Sequence, residues 1–306
     1  MTAKEIADAL ALFIAPDQFT ELRAMDVGQP GRIFAGWFDG RHLLDMAKHA
    51  LGLHRQASRC QFIPNPVRPD VAARRLNKVL DVHRGFKLTG DADVEDRRWL
   101  IVDVDPWGWW RDKPVPEAAG EPRPSNWREL GWAVRVARRG VQVMLADYGF
   151  PSPVEMMTGN GVHLVYPIDP TPSGRCLPGD PVSHLLQMIG KKWSLPGVTI
   201  DLSTFNPSRL LRIPGTLNRK GQATPDRPYR PARILRVPHD WQRPEYVAEL
   251  PAPAAKPEPP PAPERGRDRG TSRPKLDGGK PATARGTKPA AGLFDPGQRG
   301  SAKPVH

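Results

Sequence analysis

At Pro251 the chain stops looking like a folded protein. Between Pro251 and His306 the only large apolar side chains are Leu276, Leu293, Phe294 and Val305, set among Pro, Ala, Gly, Lys and Arg. Such a stretch cannot bury enough surface to offset the entropy lost on ordering it, so residues 251–306 are expected to be a disordered, basic, Pro/Gly/Ala-rich tail. Folding is thereby confined to residues 1–250, and a chain of that length buries a substantial core without disulfides or metal staples. The break also divides the charge. With five Lys and six Arg against five acids, the tail carries half of the formal net charge of +12. A basic excess in both regions fits a polyanionic partner. Nucleic acid ranks ahead of a membrane, because no amphipathic basic helix stands out. A basic Pro-rich tail equally suits a plain solubilising linker.

Cys60 and Cys176 are the only cysteines and form no CxxC pair, which excludes a Cys-based zinc module and argues against a disulfide framework. The N-terminus lacks the basic, apolar and small-residue parts of a signal peptide, and no apolar run approaches about 18 residues. The expectation is a cytoplasmic protein with no membrane partner.

Residues 1–250 mix helix and strand signals. Thr2-Ala3-Lys4-Glu5 reads as a capping box opening a helix through Ile6, Leu10 and Ile14. Strands are predicted at Arg32–Trp37 and Cys60–Ile63. One helix is predicted over Arg41–Leu51 with Leu43, Leu44 and Ala47 inward, and another, capped by Asp70, through Ala73, Leu76 and Leu80. Trp99–Asp105, stopped by Pro106, is the strongest strand signal; Trp107–Pro124 reads as a surface loop, and Ser125 starts a helix to about Ala146. Val154–Met157 and Val162–Tyr166 flank Thr158-Gly159-Asn160-Gly161 and predict a hairpin. A helix over Val182–Lys192 precedes strands at Val198–Asp201 and Arg209–Ile213. The fold class that follows is α+β around a mixed β-sheet.

Three pieces carry chemistry. Strand alternation puts Trp99, Ile101, Asp103 and Asp105 on one face, which turns acidic at its C-terminal end. Two carboxylates about 7 Å apart along a strand repel one another unless a cation lies between them. Mg²⁺ or Mn²⁺, hard ions bound through a few carboxylates and substrate phosphates, would meet that need. Taken alone, Asp-Val-Asp-Pro is also an ordinary solvated turn. The second piece is the Thr158–His163 hairpin, whose glycines allow close backbone approach to a ligand and whose His163 projects just past the turn, where it could hold a phosphate. A hairpin of this composition needs no function to explain it. The third piece runs from Asp201 through Arg209, Arg212 and Lys220, one acid followed by several cations, which suits a triphosphate bound with metal and equally a basic surface loop. If Arg209–Ile213 is a strand, parity places Arg212 on the face opposite Arg209 and gives it less weight.

In order and spacing the three pieces resemble the motifs of the archaeo-eukaryotic primase superfamily, in particular the primase-polymerases of phages, plasmids and other mobile elements. Asp103-Val104-Asp105 matches the acid-x-acid motif. Thr158–His163 matches the Ser-Gly-x-Gly-x-His hairpin, with Thr in place of Ser. Asp201, Arg209, Pro214-Gly215-Thr216 and Lys220-Gly221 match the third motif, and Asn65-Pro66 and Asp91-Ala92-Asp93-Val94 also look like the family. The resemblance covers about Arg32 to Arg236.

It implies an RRM-like catalytic sheet packed on a small N-terminal α/β unit. It also implies metal-dependent nucleotidyl transfer from ribo- or deoxynucleoside triphosphates on a single-stranded DNA template. Asp103, Asp105 and Asp201 would hold Mg²⁺ or Mn²⁺, and His163 would contact the triphosphate. Arg209 and Lys220 would neutralise it, while Thr158, Gly159 and Gly161 would shape the pocket. With no helicase segment in 306 residues, any helicase would act in trans. Trp107, Trp109 and Trp110 fall outside the family pattern and suit either loop packing or stacking on template bases. Two other readings use the same residues: a catalytically degenerate DNA- or nucleotide-binding replication accessory, and a metal-dependent nuclease.

Overall fold

In the computed structural model, which describes residues 1–82, 86–106, 109–110, 113–114, 123–172 and 180–241, the chain opens as its capping signal predicts. The Thr2 hydroxyl accepts the Glu5 amide and the Glu5 carboxylate accepts the Thr2 amide, which starts α1 (Ala3–Leu10). The elements that follow are β1 (Phe19–Met25), β2 (Ile33–Asp39), α2 (Leu43–Leu53), β3 (Arg59–Phe62), the single turn α3 (Pro69–Ala72), β4 (Leu80–Val82) and β5 (Asp96–Asp105). A short ribbon, β6 (Trp109–Trp110) with β7 (Lys113–Pro114), precedes α4 (Trp127–Val136), which continues through a π-turn at Ala137–Val141 into α5 (Gln142–Asp147). The remainder comprises β8 (Val154–Met157), β9 (Val162–Pro172), α6 (Pro181–Trp193), β10 (Thr199–Ile200), β11 (Leu211–Arg212), β12 (Leu217–Asn218), β13 (Arg230–Pro231) and β14 (Arg233–Arg236).

The described strands form two five-stranded sheets and two small ribbons. The N-terminal sheet has the order β11-β3-β1-β2-β4, so its edge strand β11 arrives from far down the chain. The second sheet has the order β10-β5-β9-β8-β14. Every named strand pairing is antiparallel, which corrects the mixed sheet expected from sequence. The reason is topological: α4 and α5 carry the chain from β5 to β8, but β9 lies between those two strands, so no parallel neighbours arise.

The second sheet is buried on both faces. Leu100, Val102 and Val104 of β5 pack with Leu164 and Tyr166 of β9 under α4, α5 and α6. On the opposite face, Trp99 and Ile101 enter the core shared with α1, α2 and the N-terminal sheet, where Leu22, Phe38, Phe62 and Leu211 are fully buried. Arg97 at the start of β5 makes a buried bidentate ion pair with Asp180, the cap of α6, at 2.7 and 2.8 Å.

Several local expectations are corrected. In α2 the inward residues are Leu43, Met46, Ala47 and Ala50, whereas Leu44 is 45% exposed. The helix expected to be capped by Asp70 starts at Pro69 with Arg68 at its N-cap, so Asp70 sits in its first turn, and it ends after that turn: Leu76 and Leu80 are exposed, Asn77 adopts a positive φ, and Leu80 belongs to β4. β1, a central strand of the N-terminal sheet, has no counterpart among the predicted strands. The expected strand Arg209–Ile213 shrinks to Leu211–Arg212. The expected tail, residues 251–306, lies outside the described residues, as do Trp107 and most of the expected Trp107–Pro124 loop.

Candidate active site

β5 brings its apolar half into the core and its acidic half to a cleft of about 890 Å³. Asp103, Asp105, Thr158, His163, Asp201, Arg209 and Lys220 all line it. Residues separated by more than a hundred positions therefore meet, because β5 is flanked by β9 on one side and β10 on the other. The register sets Asp103 directly opposite His163, and their side chains meet at 3.3 Å between Oδ2 and Nε2. Both are nearly buried, at 7% and 5% exposed. On the other side β10 ends at Ile200, and the Asp201 amide donates to the Asp103 carbonyl at 3.0 Å, which ties the third acid to the first.

The hairpin between β8 and β9 is held by Thr158, whose Oγ1 accepts the amides of Gly161 at 2.9 Å and Asn160 at 3.4 Å. Thr158 thus shapes the turn, and its hydroxyl proton is left to donate. The two glycines matter for space. A Cβ on Gly161 would lie 2.2 Å from Asp105 Oδ1, and one on Gly159, at φ +95°, would lie 2.7 Å from the Arg230 carbonyl and from Asn218 Cβ in the β12–β13 ribbon. The turn is pressed on one side by the ribbon and on the other by Asp105 and the Val104 carbonyl at the end of β5, which is why neither position tolerates a side chain.

Charge in the cleft is unevenly matched. Asp105 is half-buried, and its carboxyl is pushed up to about 7 by burial and then by the negative charges of Asp103 and Asp201, with His163 and Lys220 opposing. Asp103 Oδ1 is buried with no hydrogen-bond partner, and so is His163 Nδ1. Asp201 differs. Burial alone would raise its carboxyl, but hydrogen bonds from the Ser203 hydroxyl and amide, together with Arg209, hold it below the usual carboxylate range. Arg209 Nη2 lies 2.6 Å from Asp201 Oδ2 and 3.7 Å from Asp103 Oδ2.

The donor set suits a hard divalent cation at Asp103 and Asp105: an orphaned carboxylate oxygen beside a second carboxylate that repels it. Asp201 fits less directly, since Ser203 and Arg209 occupy both its oxygens, and among the described residues no three acids, His or Cys are grouped to hold a metal.

Sequence reasoning gave Arg212 too little weight and left Arg59 out. Arg209 lies in the turn before β11, not on a strand, so alternation does not relate it to Arg212; both side chains line the cleft. Arg23 and Arg59 of the N-terminal sheet line it too, a contribution visible only once β11 is known to pair with β3. Asp91 and Asn65 instead act as struts. Asp91 accepts the amide and hydroxyl of Ser208, next to Arg209, and Asn65 joins Pro207 to the backbone of Arg98. No helix among the described residues is long and apolar enough to cross a membrane. No family model matches this chain and no curated protein matches it, so the case for an activity rests on the cleft itself.

Proposed function

We propose that the chain is a nucleotidyltransferase of the primase-polymerase kind, joining nucleoside triphosphates on a single-stranded DNA template. The observation that carries this reading is the cross-strand pair Asp103–His163, set with Asp105, Asp201, Arg209 and Lys220 around one cleft. A polyanionic substrate explains why acids and cations converge there: carboxylates alone would suit a cation, and arginines alone an anion. The order β10-β5-β9-β8, with α4–α5 and α6 on one face, supports an RRM-like catalytic sheet, to which the N-terminal sheet adds a basic wall. Residues 1–250 then form the catalytic domain and residues 251–306 a basic appendage. A helicase acting in trans would be a partner in replication of a mobile element.

Within this reading, Asp103 and Asp105 would hold Mg²⁺ or Mn²⁺, Asp201 would join them on releasing Ser203 or Arg209, and the ions would supply charge neutralisation for in-line phosphoryl transfer. The chain's own residues do the rest. Arg209 and Lys220 neutralise the triphosphate, as guanidinium and ammonium groups do for phosphate oxygens. His163 lines the same wall, with its Nε2 held 3.3 Å from Asp103 Oδ2. Gly159 and Gly161 keep the hairpin backbone close to the acids.

Extension of a labelled primer on a single-stranded template, with ribo- or deoxynucleotides and Mg²⁺ or Mn²⁺, tests the reading. Metal-dependent extension by the wild type that is lost in Asp103→Ala/Asp105→Ala is expected. A second reading, a degenerate DNA- or nucleotide-binding accessory, is favoured by one observation: Asp201 is satisfied by Ser203 and Arg209 without any metal. Binding of template without extension under every metal and nucleotide would select it.

A further inference from the structure

We propose that Arg59 and Arg212 form a phosphate-binding subsite in the wall of the cleft, distinct from Arg209 and Lys220, which takes a phosphate group of the incoming polyphosphate. The identity of the phosphate's owner rests on the nucleotidyltransferase reading; the subsite itself does not.

Sheet register builds the pair. β11 pairs with β3 so that Leu211 faces Phe62 and Arg212 faces Gln61. Leu211 and Phe62 are buried in the core with α1 and α2, so alternation turns Arg212 and Gln61 to the opposite face, which is the cleft. Arg59, two residues before Gln61 on β3, shares that face. Side chains on neighbouring strands at such positions lie within reach of one another, and like charges there are destabilising.

No carboxylate among the described residues is in direct contact with either arginine. Among the described residues neither Arg59 nor Arg212 makes an ion pair, whereas Arg23 is held by Glu21 at 2.6 Å and Arg209 by Asp201. Arg212 Nη1 is buried with no hydrogen-bond partner. Arg59 Nε reaches only the Met25 sulfur at 3.1 Å, a poor acceptor. Asp26 is within electrostatic reach of Arg59, but its carboxylate is hydrogen-bonded to Ser58 and Gly31. Burial and the neighbouring Arg59 pull the Arg212 guanidinium down to about 10, although Asp103 and Asp105 oppose the shift from across the cleft. A half-buried guanidinium with one buried nitrogen unpartnered, beside a second cation, is costly unless an anion arrives, and a phosphate accepts the guanidinium fork bidentately. The half-buried position of Arg212 suits the compact end of a polyphosphate. A phosphodiester with strand on both sides requires an open groove.

The test titrates the full chain with sodium tripolyphosphate and, separately, with a single-stranded oligonucleotide lacking terminal phosphates, in EDTA, by calorimetry. Wild type, Arg59→Gln, Arg212→Gln and Arg212→Lys are compared. Losing hydrogen bonds to a charged group should weaken tripolyphosphate binding by about 10- to 100-fold in Arg59→Gln and Arg212→Gln. Arg212→Lys, which keeps the charge and loses the fork, should fall between them and the wild type, and oligonucleotide affinity should be unchanged. Unchanged tripolyphosphate affinity would overturn the subsite, and loss of oligonucleotide affinity alone would assign it to the strand backbone and overturn it as stated. Should Arg212→Gln fail to fold, Arg59→Gln on the partly exposed strand carries the comparison. Because no chemistry is read, tripolyphosphate binding that depends on these arginines in a chain without extension activity sinks the polymerase and keeps the subsite; extension with no such dependence does the reverse.

Discussion

Asp105 sits where its own charge is least welcome, between burial and two other carboxylates. Its folded pKa of about 7 stands above the roughly 3.9 of an unfolded aspartate, so the unfolded chain gives up that proton first. Stability contributed by this group is therefore present below about pH 4 and is lost as the pH rises to about 7. Asp105→Asn should raise the melting temperature of the metal-free protein by a few degrees at pH 8, given about 2–4 °C per kcal/mol for a domain of this size, with the gain gone near pH 4. Equal melting temperatures at pH 8 would remove the electrostatic account. Gly161→Ala makes the complementary point. Its Cβ would collide with Asp105 Oδ1, so overpacking should cost about 1–3 kcal/mol and abolish primer extension, read by melting and a product gel. These residues were legible in the sequence because strand parity and hairpin composition are local signals. The meeting of Arg212 with Arg59 was not, because it depends on β3 and β11 becoming neighbours.

Cap signals had mixed outcomes: α1 begins with the expected Thr2–Glu5 box and α4 starts close to the expected Ser125, with Asn126 as its cap exchanging hydrogen bonds with Glu129, whereas the Asp70 signal yields only a single turn. Misplaced elements share a different cause. β1 reads Phe-Thr-Glu-Leu-Arg-Ala-Met, a sequence with weak β preference, and it is a strand because β2 and β3 flank it and because Glu21 and Arg23 find partners on its cleft-side face. The Asp70 helix was overextended because a run of Ala, Arg and Leu has high helix propensity with no tertiary cover. The joint between β5 and α6 is electrostatic. Removing one partner of the buried Arg97–Asp180 pair leaves an uncompensated charge, so Arg97→Ala should destabilise by about 3–5 kcal/mol in denaturant melts. A change below about 1 kcal/mol would show that water reaches the pair.

For the molecule as a whole, the compositional break at Pro251 leads to a clean expectation. Truncation of residues 251–306 should leave primer extension intact while lowering DNA affinity and flattening its salt dependence, because eleven cations and five acids leave with it. Loss of all extension would place the tail inside the chemistry. The α+β class was readable from mixed helix and strand periods, but the antiparallel order of the second sheet was not, since sequence spacing does not reveal that β9 inserts between β5 and β8. The remote origin of β11 has a consequence for synthesis. As the chain leaves the ribosome, β3 exposes a bare row of amides and carbonyls until Leu211 and Arg212 have been made, and an open edge of that kind recruits other chains. A fragment ending at Ile200 should therefore aggregate where one ending at Leu250 stays dispersed, and in the cell the first half of the protein would need shelter until its last edge strand arrives.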